Sequence, residues 1–141
     1  MTDDCVFCGI IAGRIPSRPI YSTDTVQAFL DVNPLSRGHT LVIPADHYET
    51  VSDLPTSVGE ELFATVFQLA PPIETAVEAH GTTIGFNNGQ AAGQEIPHVH
   101  GHVIPRFDDD TGGTLHTMMG GPEGLPEEEM DAVADAIRAT L

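Results

Sequence analysis

Three histidines at alternate positions constrain this chain more than any other feature of its sequence. His98, His100 and His102 stand within residues 98–106, HVHGHVIPR, where valine and isoleucine favour a β-strand. Alternate residues of a strand share one face, and a rise of about 3.3 Å per residue would space the three imidazoles about 6.6 Å apart. The sequence therefore predicts a strand over residues 98–105 with a histidine-lined face.

The opposite face of the same strand is apolar. Val99 and Val103 would point towards a core, and Gly101 would leave room between them. The histidine face itself allows several interpretations. Three imidazoles could bind a metal ion, or one neutral imidazole could act as a nucleophile or a base near neutral pH. A polar face formed by coincidence is the remaining alternative.

The rest of the chain alternates short apolar segments with helical patterns. The predicted strands cover residues 20–21, 25–31, 39–44 and 82–87, in addition to 98–105. Residues 39–44 alternate only partly, which indicates burial on both faces. These elements predict an α+β fold, an antiparallel sheet of about five strands with packed helices, as one domain over residues 1–141.

The predicted helices are a short one within residues 5–13, a long one over residues 53–80 and one at the C-terminal end. Ser57 and Glu60 fit a capping box, Pro71-Pro72 should break or sharply kink the long helix, and Gly81 fits its C-cap. Pro126, followed by three glutamates, marks the start of the last helix. Residues 108–124 are predicted to be irregular.

The charge balance restricts both partners and environment. Asp and Glu number 21 against 5 arginines and no lysine, for a net charge of −16. A nucleic-acid-binding protein needs a basic surface, so this composition argues against nucleic acid as a partner. At 1 M salt the Debye length is about 3 Å and repulsion between carboxylates is screened. Together with the absence of lysine, this leads us to expect a halophilic protein; a mesophilic acidic protein is the alternative. No apolar run approaches 18 residues and residues 1–4 do not fit a signal peptide, which predicts a cytoplasmic protein without membrane contact.

The two cysteines, Cys5 and Cys8, form one C-x-x-C pair. In a chain that is not secreted, metal binding or redox chemistry is favoured over a structural disulfide. A thioredoxin-like redox pair usually follows a strand, which residues 1–4 are too short to supply. The pair alone is a weak signal for zinc.

Several segments together resemble one known family, the histidine triad family of nucleotide hydrolases and transferases. Residues 98–104 match its motif, in which each histidine is followed by an apolar residue. The other matching segments, in order and at suitable spacing, are 5–11 (CVFCGII), 28–31 (AFLD), 38–44 (GHTLVIP) and 87–89 (NNG). The resemblance covers about residues 5–107 and implies the fold of that family. The chain departs from it at Glu95, where many members have Ser or Thr, and at Gly101, where a bulky apolar residue is usual.

The resemblance implies a role for individual residues. His100 would attack the α-phosphate of a purine nucleotide conjugate, a phosphoramidate or dinucleoside polyphosphate, and form a nucleotidyl-histidine that water hydrolyses. His102 and His39 would support it, Asn87 would contact the phosphate region and Asp31 the ribose. Positions around the purine would be Phe7, Ile10, Ile15, Phe29 and Leu30. A non-catalytic purine nucleotide-binding module, with Glu95 suppressing chemistry, is the alternative.

Zinc-containing members of the family also imply a metal site and an assembly. Their pattern assigns Cys5, Cys8, His47 and His98 as four ligands of a structural zinc ion. A third functional hypothesis is a metal-dependent enzyme in which the three triad histidines jointly hold a catalytic ion. Family members of this kind are commonly homodimers, so a homodimer is expected here.

Overall fold

A computed structural model describes residues 4–114 and 126–140. Residue contacts group the chain into two compact units, residues 1–109 and 110–141. The prediction of one domain over the whole chain therefore stays a prediction. Within the described ranges, no helix has the length and apolar character needed to span a bilayer.

The first unit is built on a five-stranded antiparallel sheet with two α-helices. In chain order its elements are α1 (Val6–Ile11), β1 (Pro19–Ser22), β2 (Val26–Leu30), β3 (Thr40–Pro44), α2 (Thr56–Val77), β4 (Gly81–Phe86) and β5 (Gly101–Arg106). Short 3₁₀ turns, Val51–Asp53 and Gln90–Ala92, precede α2 and β5. The strand order is β1-β2-β3-β5-β4, with every neighbouring pair antiparallel. The predicted α+β class is confirmed.

The sheet carries an apolar cluster on each face because its central strands alternate. One cluster joins sheet residues such as Val42 and Val103 to α2. The other gathers α1 and its flanks around Phe7, Phe29 and Leu41. All five residues of β3 are buried, as residues 39–44 predicted. Each residue of β3 therefore faces one of two packed layers. Helix α1 covers the face that carries Leu41, the residue of β3 that pairs with His102 of β5.

Helix α2 does not break at Pro71-Pro72, so that prediction was wrong. The helix runs unbroken from Thr56 to Val77 with both prolines inside it. Each proline removes one i→i−4 hydrogen bond, and the acceptors would be the carbonyls of Phe67 and Gln68. Those residues and the prolines are all exposed, so water can satisfy the freed carbonyls. Burial of the opposite face of α2, through Leu62, Val66, Ala70 and Ile73, holds the helix together across the prolines.

The ends of α2 also differ from the prediction. The N-cap residue is Pro55, which has no side chain to cap the helix, and the predicted Ser57/Glu60 capping box is not used. A different cap forms earlier, where both the backbone N–H and the hydroxyl of Thr50 donate to Asp53 Oδ2 at 3.1 and 3.0 Å. At the other end Glu78, in the left-handed region at φ 56°, is the C-cap, and Gly81 already belongs to β4.

Strand β5 begins three residues later than the histidine pattern predicted, at Gly101. Before it, the chain bends and bonds elsewhere, because the Val99 N–H donates to the Tyr48 carbonyl at 2.8 Å and the His98 N–H to the Ile96 carbonyl. His98 and His100 therefore precede the strand.

The second unit contributes α3 (Glu127–Thr140), which begins directly after Pro126 as predicted. Its apolar residues Met130, Val133 and Ile137 are exposed. Arg138 pairs with Asp135 at 3.2 Å, one turn earlier. The predicted irregular stretch 108–124 falls largely on residues 115–125, outside the described residues.

Candidate active site and metal centre

The predicted catalytic residues lie on or directly beside four neighbouring strands of the sheet, β2 to β5. Asp31 directly follows β2, and its N–H donates to the carbonyl of His39, which directly precedes β3, at 2.9 Å. Asn87 directly follows β4, and His102 lies near the start of β5. Because β3 runs antiparallel to β5, Asp31 and His39 lie towards one end of the sheet and Asn87 towards the other, with His102 between them, paired with Leu41.

The tautomer of His100 is fixed by its backbone neighbour. Its Nδ1 lies 2.8 Å from the carbonyl oxygen of His98. A carbonyl can only accept, so Nδ1 carries the proton and Nε2 of the neutral ring holds a lone pair. His100 is largely buried, and its ring packs edge-on against Phe7 with centroids 5.1 Å apart. The arrangement leaves one imidazole nitrogen in its nucleophilic form.

A chain of hydrogen bonds fixes the tautomers of the other two site histidines. The Leu35 N–H donates to His39 Nδ1 at 3.0 Å, so the proton of neutral His39 is on Nε2. His39 Nε2 lies 3.0 Å from His102 Nδ1 and donates to it. The proton of neutral His102 is therefore on Nε2, where it can be donated onward. The ring centroids of His102 and His100 are 5.1 Å apart.

Burial keeps these supporting histidines neutral. It lowers the pKa of His102 to about 4, and the neighbouring His100 and His39 reinforce the shift against the opposing pull of Asp31. Burial also lowers the pKa of His39, again against Asp31. The 3.7 Å contact between His39 Nε2 and Asp31 Oδ2 is thus not an ion pair at neutral pH.

A cavity of about 480 Å³ opens beside these residues. The predicted site residues that line it are Phe7, Ile10, Phe29, Asp31, His39, Asn87, Glu95, His100 and His102. The predicted purine contacts Ile15 and Leu30 do not line it. The sequence did not point to the further lining residues Val6, Val32, Asn33, Leu35, Leu41, Gly93 and Ile96. Leu35 contacts His39 through its backbone N–H, which the identity of a side chain cannot predict. Gly93 could have been found, because glycines mark residues 88–97 as a loop.

The two departures from the family pattern have different surroundings. Glu95 is exposed and lines the cavity, so a carboxylate borders this space. Gly101 faces the other layer, where the Phe86 ring takes the space of a side chain. A Cβ built at Gly101 would lie 2.6 Å from Phe86 Cζ. Phe86 therefore supplies the bulk that residue 101 lacks.

Cys5, Cys8, His47 and His98 converge on the α1 side of the sheet, with their ligand atoms all within 4.8 Å of one another. His98 Nδ1 is 3.4 Å from Cys5 Sγ, 3.6 Å from Cys8 Sγ and 3.2 Å from His47 Nδ1. Zinc–sulfur bonds of about 2.3 Å and zinc–nitrogen bonds of about 2.0–2.1 Å give a tetrahedron with edges of about 3.3–3.8 Å. The donor spacing therefore fits a tetrahedral zinc ion closely.

The protonation of this cluster fits a metal as well. His98 Nε2 donates to the Pro44 carbonyl at 3.0 Å, which leaves Nδ1 as the free donor atom inside the cluster. Burial lowers the pKa of His98 to about 4, so the ring is neutral. Burial also raises the pKa of the Cys8 thiol to about 11, with Cys5 adding to the shift. A divalent cation would supply the positive charge that two thiolates need there.

A second group of potential metal ligands, Asp31, His39 and His102, does not fit a metal in this form. The nitrogen of His39 that faces the group, Nε2, carries the proton because Nδ1 accepts from Leu35. It therefore has no lone pair for an ion. Since His98 lies in the cysteine cluster, the described residues also do not join the three triad histidines around one ion.

Known protein families and relatives match most of this chain. The HIT domain family model matches residues 12–109. Adenylylsulfatase HINT3 of Arabidopsis thaliana is 42% identical over 110 residues, 78% of this chain and 56% of that protein. Adenosine 5'-monophosphoramidase HNT1 of Saccharomyces cerevisiae is 36% identical over 108 residues, 77% of this chain and 66% of that protein.

Solved structures share the fold. A HIT family protein of Bacillus subtilis superposes with a TM-score of 0.82 at 34% identity, covering 98% of this chain and 97% of that one. A zinc-bound histidine triad family protein of Mycobacterium smegmatis has a TM-score of 0.74 at 36% identity, over 79% of this chain and 81% of that one. Sequence, site geometry and fold agree that this chain belongs to the HIT domain family.

Proposed function

We propose that this protein hydrolyses purine nucleotide conjugates at the α-phosphate through a nucleotidyl-histidine intermediate on His100. The observation that carries the proposal is the 2.8 Å hydrogen bond from His100 Nδ1 to the His98 carbonyl. It places the lone pair on Nε2, so the ring can attack phosphorus without first losing a proton. A hydroxyl nucleophile would need a separate base for that step.

The first step exchanges one bond at phosphorus for another. His100 Nε2 forms the new phosphorus–nitrogen bond, while the bond from phosphorus to the leaving group breaks. The leaving group takes the bonding electron pair; an amine also takes a proton from water, whereas a phosphate or sulfate group departs as the anion. The Nε2–H of His102 faces the developing charge on the phosphoryl oxygens, and the bond from His39 holds that donor in place.

The second step returns the enzyme to its starting state. Water attacks the phosphorus, the bond to His100 breaks, and the nucleoside monophosphate leaves as a proton goes to solvent. The apolar wall that includes Phe7, Ile10 and Phe29 suits a purine ring, and Asp31 suits the ribose hydroxyls. Asn87 and the N–H groups of the following loop suit the phosphate. Ile15 and Leu30 have no place in this proposal.

The names of two relatives support an adenylyl substrate. An adenylylsulfatase and an adenosine 5'-monophosphoramidase act on conjugates that share adenosine 5'-phosphate and differ in the group attached to its phosphorus. A nucleophile that attacks phosphorus fits both, because it contacts the shared part. We therefore propose adenosine 5'-phosphoramidate as the test substrate.

The test compares two histidine variants on that substrate at high salt. His100→Ala removes the nucleophile and should lower turnover by at least a thousandfold while the protein still folds, with a cooperative urea unfolding transition. His80→Ala, a matched change at a half-exposed histidine that does not line the cavity, should retain full activity. Full activity of His100→Ala would refute the mechanism.

A non-catalytic nucleotide-binding module is the second candidate, and the position of Glu95 favours it. An exposed carboxylate on the cavity wall opposes an anionic transition state more than it opposes weak nucleotide binding. Wild-type protein that binds AMP tightly but leaves the phosphoramidate intact would support the module. If Glu95 is the suppressing group, Glu95→Ser should then create hydrolysis.

We further propose that Cys5, Cys8, His47 and His98 hold a structural zinc ion. With four protein ligands the site is closed, so the ion would tie α1 to the segment before β5 rather than react with substrate. The zinc-bound relative from Mycobacterium smegmatis supports this assignment. Cys5→Ser should lower the bound zinc, measured by elemental analysis, from one ion per chain to well below one. Unchanged zinc content would favour a histidine-only site.

A homodimer is proposed as the assembled form. Strand β4 is an edge strand, and exposed apolar side chains lie on it and on the neighbouring helix: Ile84 is 45% exposed and Phe67 is 76% exposed. Covering such a surface with a second copy would bury it. Sedimentation equilibrium should give twice the chain mass, and Phe67→Glu should shift the protein towards monomer. A wild-type monomer at micromolar concentration would contradict the proposal.

The charge of −16 leads us to propose a cytoplasm of high salt as its environment. Self-repulsion falls as the Debye length shrinks from about 10 Å at 0.1 M to about 3 Å at 1 M. We expect the unfolding midpoint and the rate of phosphoramidate hydrolysis to rise between these concentrations. Full stability in salt-free buffer would count against a halophilic protein.

A further inference from the structure

We propose that Gln94 is a positioning residue that ties the segment carrying His47 to the loop beside the nucleotide cavity. The tie would link the cysteine–histidine cluster mechanically to the phosphate side of the cavity. This inference rests on the proposed nucleotide function and adds a residue to which the family pattern gave no role.

The Gln94 side chain makes three hydrogen bonds to backbone groups on both sides of the link. Its Oε1 accepts from the Gly89 N–H at 2.7 Å. Its Nε2 donates to the Glu49 carbonyl at 2.6 Å and to the Ile96 carbonyl at 2.9 Å. These partners allow a single orientation of the amide. If it were flipped, the NH2 group would face the Gly89 N–H and the amide oxygen would face the two carbonyls.

Two further hydrogen bonds join the same two segments. The Val99 N–H donates to the Tyr48 carbonyl at 2.8 Å, and the Val51 N–H donates to Asn88 Oδ1 at 2.9 Å. Besides the contact of His47 with His98, residues 48–51 are thus bonded to residues 88–99 at three points. Gln94 makes the middle one and, unlike the other two, also closes the loop on itself through Gly89.

The loop needs such a closure because its backbone is unusual. Gly89 and Gly93 have φ values of 90° and 93°, which only glycine adopts without strain. Gly93 and Glu95 line the nucleotide cavity, whereas the amide of Gln94, between them, bonds to the Glu49 segment. Motion of that segment would therefore move both residues that border the phosphate.

The nucleophile and its supports are held differently. His100 bonds to the His98 carbonyl, and His102 bonds to His39. Neither contact involves residues 89–96. Loss of the Gln94 amide should therefore weaken nucleotide binding and raise KM while leaving kcat close to the wild-type value. Loss of a residue that only stabilised the fold would not raise KM while leaving kcat unchanged.

The test uses metal-loaded protein and AMP as the probe. Gln94→Met removes the three hydrogen bonds at similar size, and Gln94→Glu, a second variant, loses both donated bonds. Gln90→Met is the matched control, since Gln90 is exposed in the same loop and its side chain has no hydrogen bond within the described residues. Calorimetric titration should show the Kd for AMP raised about tenfold in both Gln94 variants, because AMP must then order a loop that the amide no longer holds, at a cost comparable to one net hydrogen bond, and unchanged in the control.

Metal affinity gives a reciprocal readout that does not depend on activity. In the wild type, saturating AMP should raise the affinity for zinc, measured by competition with a chelator, and in Gln94→Met it should not. Hydrogen exchange of the Gly89 amide should also become faster in the variant, with or without nucleotide. Three results would each overturn the proposal: an unchanged Kd for AMP in the Gln94 variants, a fall in kcat at constant KM, or an equal effect of AMP on zinc affinity in the wild type and in Gln94→Met. Failure of the wild type to bind AMP would instead contradict the proposed function, and Gly89 exchange would still test the tie.

Discussion

Replacing Gly101 with alanine tests how the strand behind the active site is packed. The added Cβ would lie 2.6, 2.9 and 3.1 Å from three atoms at the tip of the Phe86 ring. Ordinary carbon–carbon contacts are about 3.5–4.0 Å, so the ring tip must move by about 1 Å. Phe86 cannot yield freely, because it packs against the core of α2 and lies 4.7 Å from the Phe63 ring.

The magnitude follows from two opposing effects. Overpacking of this kind costs about 1–3 kcal/mol of unfolding free energy. Exchange of glycine for alanine inside a strand returns about 0.5–1 kcal/mol of backbone entropy. We therefore expect Gly101→Ala to lose about 1–2 kcal/mol, seen as a fall of about 0.5–1 M in the urea midpoint at high salt.

Two further variants in the neighbouring strand β4 complete the test, one as a control and one as the partner in a double-mutant cycle. Gly85→Ala adds the same methyl group in β4, where nothing lies within 4 Å of the new Cβ, and should be neutral or slightly stabilising. Phe86→Leu shortens the ring that blocks Gly101, so the double variant should be less destabilised than the sum of the two single variants. Additive effects, or a Gly101→Ala midpoint equal to that of the wild type, would refute the packing argument.

Three further predictions concern acid stability, a turn and the ribose contact. Neutral His102, with its pKa lowered to about 4, contributes stability that is fully present above about pH 6.5 and is lost as pH falls towards 4, because the unfolded chain binds the proton first. His102→Asn should therefore reduce the change of the urea midpoint between pH 6.5 and pH 4 in metal-loaded protein. Gly38→Ala should cost about 1–3 kcal/mol in urea unfolding, because φ is +91° and the Cβ would lie 3.0 Å from Val77 Cγ1, whereas Gly81→Ala, with open space at its Cβ, should not. Asp31→Ala should raise KM for a ribonucleoside phosphoramidate about tenfold or more, with a smaller effect on the 2'-deoxy analogue; equal effects on both would contradict the ribose contact.

Local patterns were sufficient to predict the sheet and much of the histidine geometry. Strands β1 to β4 fall within a residue or two of their predicted bounds, because each is a short apolar run between turn residues. Val99 and Val103 lie in the core opposite His100, as alternation predicts. The family resemblance, rather than periodicity, separated His98 from His100, and the structure places their rings in different surroundings.

Features that depend on tertiary contacts were not predictable from local patterns. The break at Pro71-Pro72 was predicted from the missing N–H groups, but the burial of α2 on its opposite face outweighs that loss. The start of β5 shifted because Val99 finds its partner in Tyr48, far away in the sequence. The tautomer of His39 depends on the backbone of Leu35, which no side-chain pattern encodes.

The central claim is that Nε2 of His100 attacks phosphorus, and direct capture of the intermediate tests it best. Wild-type protein mixed with adenosine 5'-phosphoramidate would be quenched within one turnover and analysed by intact and peptide mass spectrometry. The account predicts one adenylyl group on the peptide that contains His100, its loss when the peptide is acidified, and none in His100→Ala. Turnover without this adduct in the wild type, or an adenylyl group on another residue, would contradict the account.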